Sequence, residues 1–233
     1  MTGAPKILSS FLHLFYPHVC CGCGTDAIQE QDLLCLYCTS QLPHTGYAEL
    51  HGNPIEKIFW GRLPIQCAMS EFYFSKGSIV QSLLHELKYR SNKEIGVMMG
   101  KMIGETLLTC GRFLHIDALI PIPLSKKKEF RRGYNQSQII CEGIASAINI
   151  PLITNNVIRK QSTDTQTKKN RRKRWENVQG SFFVTSPAAL ENKHVLLVDD
   201  IITTGATIEA CGSVLAQIPN ITISIATVAY ASI

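Results

Sequence analysis

VLLVDDIITTGAT, at residues 195–207, is the stretch of this 233-residue sequence that decides the fold. Its four leading apolar residues are typical of a strand buried in a parallel sheet, and the acids Asp199 and Asp200 follow them directly. The Thr- and Gly-rich turn that comes next leads into an apolar segment at 206–217, which predicts a helix. The stretch therefore predicts one strand, one turn and one helix of an α/β protein.

The turn after this strand has the chemistry of a phosphate site. Ligands of open α/β sheets bind at the carboxyl ends of the strands, and the free N–H groups and dipole of a helix N-terminus favour an anion. Gly205 permits a close backbone approach. Because Asp199 and Asp200 would repel a phosphate, we expect them to face hydroxyl groups or a Mg²⁺ ion shared with the ligand. The pattern predicts a sugar-phosphate site, with the phosphate at Thr203, Thr204, Gly205, Ala206 and Thr207.

Two other interpretations of this stretch are weaker. Paired acids occur by chance as helix caps, but Asp-Asp-x-x-Thr-Thr-Gly-x-Thr after an apolar strand is a long and specific pattern. A nucleotide-binding P-loop requires Gly-x4-Gly-Lys-Ser/Thr, and Gly96 and Gly100 with Lys101 do not have that spacing. The sequence therefore does not favour an ATPase.

Strand-like and helix-like segments alternate from residue 65 onward. This alternation predicts a mostly parallel sheet flanked by helices. Residues 43–64 contain Pro, Gly and His and are expected to form a connector with limited structure. We therefore expect a head with its connector at 1–64 and an α/β domain at 65–233. The predicted strands are 67–75, 117–121, 156–160, 181–184, 194–199 and 221–230, and the predicted helices are 78–89, 94–110, 136–148 and 206–217.

Five of the nine cysteines lie in the first 40 residues. Cys20 and Cys23 form one CxxC pair, Cys35 and Cys38 form a second, and eleven residues separate the pairs. Since two thiolates on a tight turn can hold one side of a tetrahedral ion, the spacing predicts a small structural zinc ribbon. Cys21 breaks the spacing and is not expected to be a ligand. The alternatives are two disulfides or a redox CxxC, and both are less usual for two such pairs in a cytoplasmic protein.

The composition is that of a globular protein without a membrane span. Hydrophobic residues make up 45% of the chain and charged residues 18%, and no apolar run reaches the roughly 20 residues that a spanning helix needs. Residues 6–15 have the apolar spacing of a short amphipathic helix, whereas a signal peptide has an unbroken apolar run. We therefore expect a cytoplasmic protein.

Basic residues are concentrated in two windows. Residues 126–132 carry five basic side chains and one acid, and residues 168–174 carry six basic side chains and no acid. The rest of the chain has a net charge of −5, although the whole chain is +5. Such local basicity favours a specific anionic partner. A solvated loop, cations that close on a pyrophosphate, and nucleic-acid contacts with Trp175 stacked on a base all fit the second window.

Residues 195–207 resemble the phosphoribosyl pyrophosphate (PRPP) binding motif of type I phosphoribosyltransferases. With the cysteine head, the sequence is similar to the ComF family, phosphoribosyltransferase-like proteins associated with competence and DNA uptake in some bacteria. The implied fold is a type I phosphoribosyltransferase-like parallel sheet. Further segments that resemble the family are Pro121 to Leu124, Arg131 to Gln136 with Tyr134 where Phe is usual, and Lys88 to Arg90. Six residues resemble its loop and the strand that follows: Gln166, Arg171, Arg174, Asn177, Val178 and Gly180.

The resemblance implies roles for the two basic windows and for residues 195–207. Residues 121–133 would correspond to the pyrophosphate loop and residues 161–177 to a mobile catalytic loop. The acidic strand end would take the ribose of PRPP with Mg²⁺, and the Thr/Gly turn would take its 5′-phosphate. The implied catalytic residues are Asp199, Asp200, Arg131 and Arg132, and the implied contacts to the departing pyrophosphate are Lys126, Arg132, Gln166, Arg171 and Arg174.

Two functions follow from this resemblance. One is the Mg²⁺-dependent transfer of a ribosyl 5-phosphate group from PRPP to an acceptor that the sequence does not identify. The other is a non-catalytic or sensory component of DNA uptake or processing that binds single-stranded DNA and partner proteins. A zinc-finger regulator is a third interpretation, which the lack of a recognition helix rich in base-reading residues opposes.

Overall fold

The computed structural model describes residues 18–159 and 181–232. The strands of this part are β1 (Ala68–Tyr73), β2 (Ala118–Pro121), β3 (Val157–Arg159), β4 (Phe182–Val184), β5 (His194–Ile202) and β6 (Thr222–Tyr230). The α-helices are α1 (Leu36–Ser40), α2 (Pro54–Phe59), α3 (Ile79–Tyr89), α4 (Lys93–Thr109), α5 (Lys126–Arg132), α6 (Gln136–Ile148) and α7 (Ala206–Leu215). A parallel sheet of order β1, β6, β5, β2 forms the centre, and β3 pairs with β4 in an antiparallel ribbon.

Strand β5 lies at the centre of the sheet and is buried on both faces. Leu196 and Val198 pack in one apolar cluster with residues of α3, α4 and α6. Val195 and Leu197 pack in the other, with residues of α2 and α7. Because successive side chains of a strand point to opposite faces, the two clusters are the two sides of one sheet. The predicted parallel sheet flanked by helices is confirmed.

Helices α4 and α6 cross at two glycines, which lets their backbones come close together. A Cβ atom at Gly100 would lie 2.1 Å from the carbonyl oxygen of Ile140, and one at Gly143 would lie 2.2 Å from the carbonyl oxygen of Val97. No side chain fits at these distances, so this close packing requires glycine at both positions. The crossing fixes the position of α6, whose first turn reaches the carboxyl end of β5.

The observed elements differ from the predicted ones in three segments. Strand β5 continues to Ile202, past the predicted end at residue 199, because Ile201 and Ile202 still pair with β6. The basic segment at 126–132, expected in a loop, forms α5 and ends at Gly133 in the left-handed conformation. The connector contains α2, and the side chains of Ile55 and Phe59 on this helix are fully buried.

Residues 1–17, 160–180 and 233 lie outside the described residues. The expected amphipathic helix at 6–15 falls there, as do the second basic window and the expected roles of Gln166, Arg171 and Arg174. Across residues 18–159 and 181–232, none of the helices combines the length and the apolar character that crossing a membrane requires.

Candidate functional site

Asp199 and Asp200, the acid pair, lie near the carboxyl end of β5. The hydroxyl group of Ser137 donates to Oδ1 of Asp199 at 3.0 Å, and the backbone N–H of Asp200 donates to the same oxygen at 2.9 Å. Ser137 is held in place because its own N–H donates to the side chain of Asn135, the N-cap of α6, at 3.1 Å. Helix α6 therefore fixes the position of Asp199.

Ionisation of Asp199 is costly. Burial, followed by repulsion from Asp200, raises the pKa of Asp199 to about 7, although the hydrogen bonds from Asp200 and Ser137 and the charge of Lys88 act in the opposite direction. Two adjacent carboxylates in a partly dehydrated place require positive charge nearby. The site is therefore suited to a cation or to hydroxyl donors of a ligand.

Lys88 supplies positive charge to the acid pair. Its Nζ lies 2.8 Å from Oδ2 of Asp200, and the two side chains are 17% and 12% exposed. Lys88 comes from the last turn of α3, and the hydroxyl group of Tyr134 donates to the carbonyl oxygen of the preceding residue, Leu87. Lys88 has no predicted role in the site. Its one signal in the sequence is the resemblance of Lys88 to Arg90 to a family segment.

The turn at residues 203–207, the threonine turn, joins β5 to α7. Gly205 is the N-cap of α7 and has a positive φ of 72°, a conformation that glycine adopts without strain. Thr203 and Thr204 are exposed, and the turn borders a cavity of about 60 Å³ together with Asp199. The structure therefore brings Asp199 and all five predicted phosphate-binding residues to one cavity, whereas the side chain of Asp200 contacts Lys88.

Residues of the connector pack against the threonine turn. A Cβ atom at Gly205 would lie 2.6 Å from Ile58 and 3.1 Å from Phe59, two residues of α2. Arg62 donates to the carbonyl oxygen of Thr204 at 3.0 Å and forms an ion pair with Glu209 of α7. Arg62 was missed by the sequence analysis, because nothing local indicates a contact between residues 142 positions apart.

The predicted basic residues Lys126, Arg131 and Arg132 lie on α5. Arg132 donates to Oε1 of Gln136 at 2.6 Å, and its guanidinium lies 5.9 Å from the ring centre of Tyr89. Its Nε is buried and has no hydrogen-bond partner within the described residues. Lys126 and Arg131 are exposed, and neither forms an ion pair with the acid pair in the described part of the chain. Lys126 instead borders a second cavity, of about 180 Å³, with Pro121, Pro123 and Arg159.

The four predicted metal ligands come together in the head. The Sγ atoms of Cys20, Cys23, Cys35 and Cys38 all lie within 4.8 Å of one another, and those of Cys23 and Cys35 are 3.7 Å apart. Four sulfurs at 2.3 Å from a tetrahedral zinc ion are about 3.8 Å apart. Cys21 lies outside the cluster, as expected. The donor set therefore fits a structural zinc ion.

Hydrogen bonds favour the thiolate form at one of these cysteines. Burial opposes ionisation of Cys20, but N–H groups, including those of Cys35 and Gly22, donate to its sulfur and lower its pKa to about 6. A thiolate is the form that binds metal.

Comparison with known proteins finds one matching family and several related proteins. Residues 136–232 match the family described as phosphoribosyl transferase domain. DNA utilization protein YhgH of Salmonella typhi is 27% identical over 136 residues, which cover 57% of this chain and 59% of that protein. Competence protein F of Haemophilus influenzae is 26% identical over 217 residues, covering 89% of this chain and 88% of the relative. Competence protein ComFC of Bacillus subtilis is 29% identical over 135 residues, covering 58% and 52%.

The matches to YhgH and ComFC thus span less than two thirds of those proteins. The domain match includes α6, β5 with the acid pair, the threonine turn and β6. The fold and the domain match define a phosphoribosyltransferase-like protein. Its four-cysteine head and its relatives named competence protein F and ComFC confirm the predicted resemblance to the ComF family.

Proposed function

We propose that this protein binds PRPP and transfers its ribosyl 5-phosphate group to an acceptor, with release of pyrophosphate. The observation that carries the proposal is the cavity that the threonine turn shares with Asp199 at the carboxyl end of the central strand. One half of this cavity has N–H and hydroxyl donors, and the other has the carboxylate of Asp199, the neighbour of Asp200 in the chain. PRPP carries a phosphate for the first half and ribose hydroxyls for the second.

Each part of the site has a separate task in this proposal. The threonine turn holds the 5′-phosphate at the N-terminus of α7. Asp199 and Asp200 accept hydrogen bonds from the ribose hydroxyls, which orients the anomeric carbon. Arg132, with its unpaired Nε, and the exposed Lys126 and Arg131 stabilise the negative charge that develops on the departing pyrophosphate.

The acid pair also fits a Mg²⁺ ion. Carboxylate oxygens are the ligands that Mg²⁺ prefers, and Asp200 already accepts a cation, the ammonium of Lys88. We propose that Asp200 and Asp199 hold the ion together with the ligand. Bound there, Mg²⁺ would supply charge neutralisation for the pyrophosphate leaving group.

Calorimetric titration of Mg²⁺ and PRPP into the zinc-loaded protein tests the proposal. We expect micromolar binding that requires Mg²⁺ and that is lost in the Asp199→Ala/Asp200→Ala variant. The matched control is Glu142→Ala/Glu191→Ala, which removes two exposed acids away from the cavity and should bind as the wild type does. Absence of binding heat in the folded wild-type protein at millimolar PRPP would refute the proposal.

A second candidate function is a non-catalytic one, in which the protein binds single-stranded DNA during DNA uptake or processing. The observation that favours it is the surface of α5, which has no buried residue and places Phe130, 93% exposed, among five basic side chains. Cations that contact successive phosphates and an aromatic ring that stacks on a base are the usual means of binding single strands. The names of the relatives, competence protein and DNA utilization protein, agree with such a role.

Affinity for an oligo(dT) strand, measured over a range of salt concentrations, separates this function from the first. Lys127→Ala/Lys128→Ala/Arg131→Ala should weaken binding and reduce the salt slope by roughly 0.7 per lost phosphate contact. Neutralising Lys168 to Arg174 tests the second basic window in the same way. The control, Lys76→Ala/Lys101→Ala, removes exposed lysines elsewhere. Equal affinities for the α5 variant and the control would exclude α5 as the DNA surface.

A further inference from the structure

Lys88 is the charged residue at the acid pair to which the proposed transfer assigns no task. A lysine in the last turn of a helix ordinarily reaches the free carbonyl groups or the solvent. Here the ammonium instead lies 2.8 Å from Oδ2 of Asp200, and only 17% of the Lys88 side chain is exposed. This ion pair joins residues that are far apart in the chain, so the fold has brought them together.

The carboxyl end of α3 is held in this position by its neighbours. Tyr134 donates its hydroxyl hydrogen to the carbonyl oxygen of Leu87, and the guanidinium of Arg132 covers the ring of Tyr89 at 5.9 Å. Contacts therefore fix the residues on both sides of Lys88. The ammonium is placed at Asp200 by these contacts, and its position does not depend on the long side chain alone.

A cation bound by Asp200 must share the carboxylate with this ammonium. Asp199 is already occupied on Oδ1 by two donors, so Asp200 is the more available ligand of the acid pair. Oδ2 of Asp200 carries the ion pair with Lys88. A divalent ion bound at this oxygen would lie close to the positively charged ammonium of Lys88. Repulsion between like charges at so short a distance is strong in a partly buried site.

We propose that Lys88 is a positioning residue that holds Asp200 in the unliganded protein and competes with a divalent cation for its carboxylate. The inference rests on the proposed function, because it takes the acid pair as the cation site. Its consequence is that the free cation binds weakly. The site would then favour a cation that arrives with a sugar phosphate, whose own negative charge compensates the ammonium.

Binding of Mn²⁺ alone tests the competition, with free Mn²⁺ counted by electron paramagnetic resonance. We expect Lys88→Met, which keeps the aliphatic length and removes the charge, to bind Mn²⁺ roughly two- to fivefold more tightly than the wild type, the range for a partly screened ion pair. The titration is done at pH 8 under argon. At that pH the Asp199 carboxyl, whose pKa is about 7, is mostly ionised.

Three variants make the result specific to Lys88. Lys93→Met removes the same charge from the start of α4, where Nζ lies 5.1 Å from the ring of Tyr134, and should leave Mn²⁺ affinity unchanged. Lys88→Arg keeps the charge and should bind Mn²⁺ as the wild type does. Asp200→Asn should lose the binding. Circular dichroism checks folding, and Lys88→Gln replaces Lys88→Met if the latter does not fold.

Three outcomes overturn the inference: equal or weaker Mn²⁺ binding by Lys88→Met, an equal gain in Lys93→Met, or no Mn²⁺ binding by either the wild type or Lys88→Met. Its failure is distinguishable from failure of the proposed function. Normal PRPP binding with equal Mn²⁺ affinities overturns the role of Lys88 alone. Absence of PRPP binding with a clear gain in Mn²⁺ affinity refutes PRPP as the ligand and supports Lys88 as the competitor at the acid pair.

Discussion

Glu71 is a buried carboxylate whose ionisation the fold opposes. Its side chain is 3% exposed, and its Oε2 has no hydrogen-bond partner in the described part of the chain. Burial raises the pKa of Glu71, while hydrogen bonds with His44, whose Nδ1 lies 2.8 Å from Oε1, and with Thr106 limit the rise. Nearby Glu105 adds a repulsive charge. The residue joins the segment after the cysteine head to strand β1.

This raised pKa predicts a loss of stability with rising pH. Between the ordinary value of 4.5 and the raised one, the unfolded chain binds fewer protons than the folded chain, so the free energy of unfolding falls as pH increases. Glu71→Gln should therefore be more stable than the wild type at pH 7 to 8, by about 1 kcal/mol, and the difference should vanish near pH 4. Urea unfolding across this range measures it, with Glu191→Gln, which removes an exposed acid elsewhere in the chain, as the control. A constant difference at all pH values would contradict the prediction.

At the residue scale, the sequence places candidate site residues together where they are neighbours in the chain. Asp199, Asp200 and the threonine turn are consecutive, so their order along the chain was enough to place them together. Lys88 and Arg62 were not identified, because each acts on the site through a tertiary contact with a distant residue. No periodicity or spacing in the sequence records such a contact.

At the scale of helices and strands, the crossing of α4 and α6 tolerates the smallest increase in side-chain size. Gly143→Ala would place a methyl group 2.2 Å from the backbone carbonyl of Val97, and a backbone atom cannot move aside as a side chain can. We expect the variant to lose about 3 kcal/mol of unfolding free energy or to fail to fold. Urea denaturation measures this. Gly111→Ala, where nothing lies within 4 Å, should be neutral, and equal stability of the two variants would show that the helices separate at little cost.

Helices and strands with an apolar pattern were predictable from the sequence, and the basic helix α5 was not. The buried face of β5 or of α6 appears in the sequence as an apolar run or a helical period. Helix α5 has no buried residue, so burial leaves no pattern in its sequence. Its limits depend on Ser125 and on Gly133, which ends the helix with a φ of 80°.

At the scale of the whole molecule, the cysteine head and the sheet share one apolar core. Cys20, Leu34 and Cys38 belong to the same buried cluster as residues of α3, α4 and β5. Loosening of the head therefore exposes side chains of the main core. If the four cysteines hold zinc, as we propose, the energy of metal binding contributes to the stability of the entire chain.

Metal removal should therefore lower the Tm of the whole protein in one transition, by several degrees or more. A separate low-temperature transition with an unchanged main one would show that the head unfolds on its own. Scanning calorimetry with and without a chelator measures this. Cys38→Ser should lose zinc and reproduce the lower Tm, whereas Cys21→Ser, outside the cluster, should retain zinc and the Tm of the wild type.

The support of the threonine turn by α2 has a consequence for how this protein can vary. A segment that looks in the sequence like a spacer packs against Gly205 and, through Arg62, holds the carbonyl of Thr204. Insertions or deletions between residues 53 and 62 would therefore alter ligand affinity. In a flexible linker they would change only the distance between the two parts of the protein that it joins. In homologues, we expect length variation to concentrate on either side of this segment and to spare its interior.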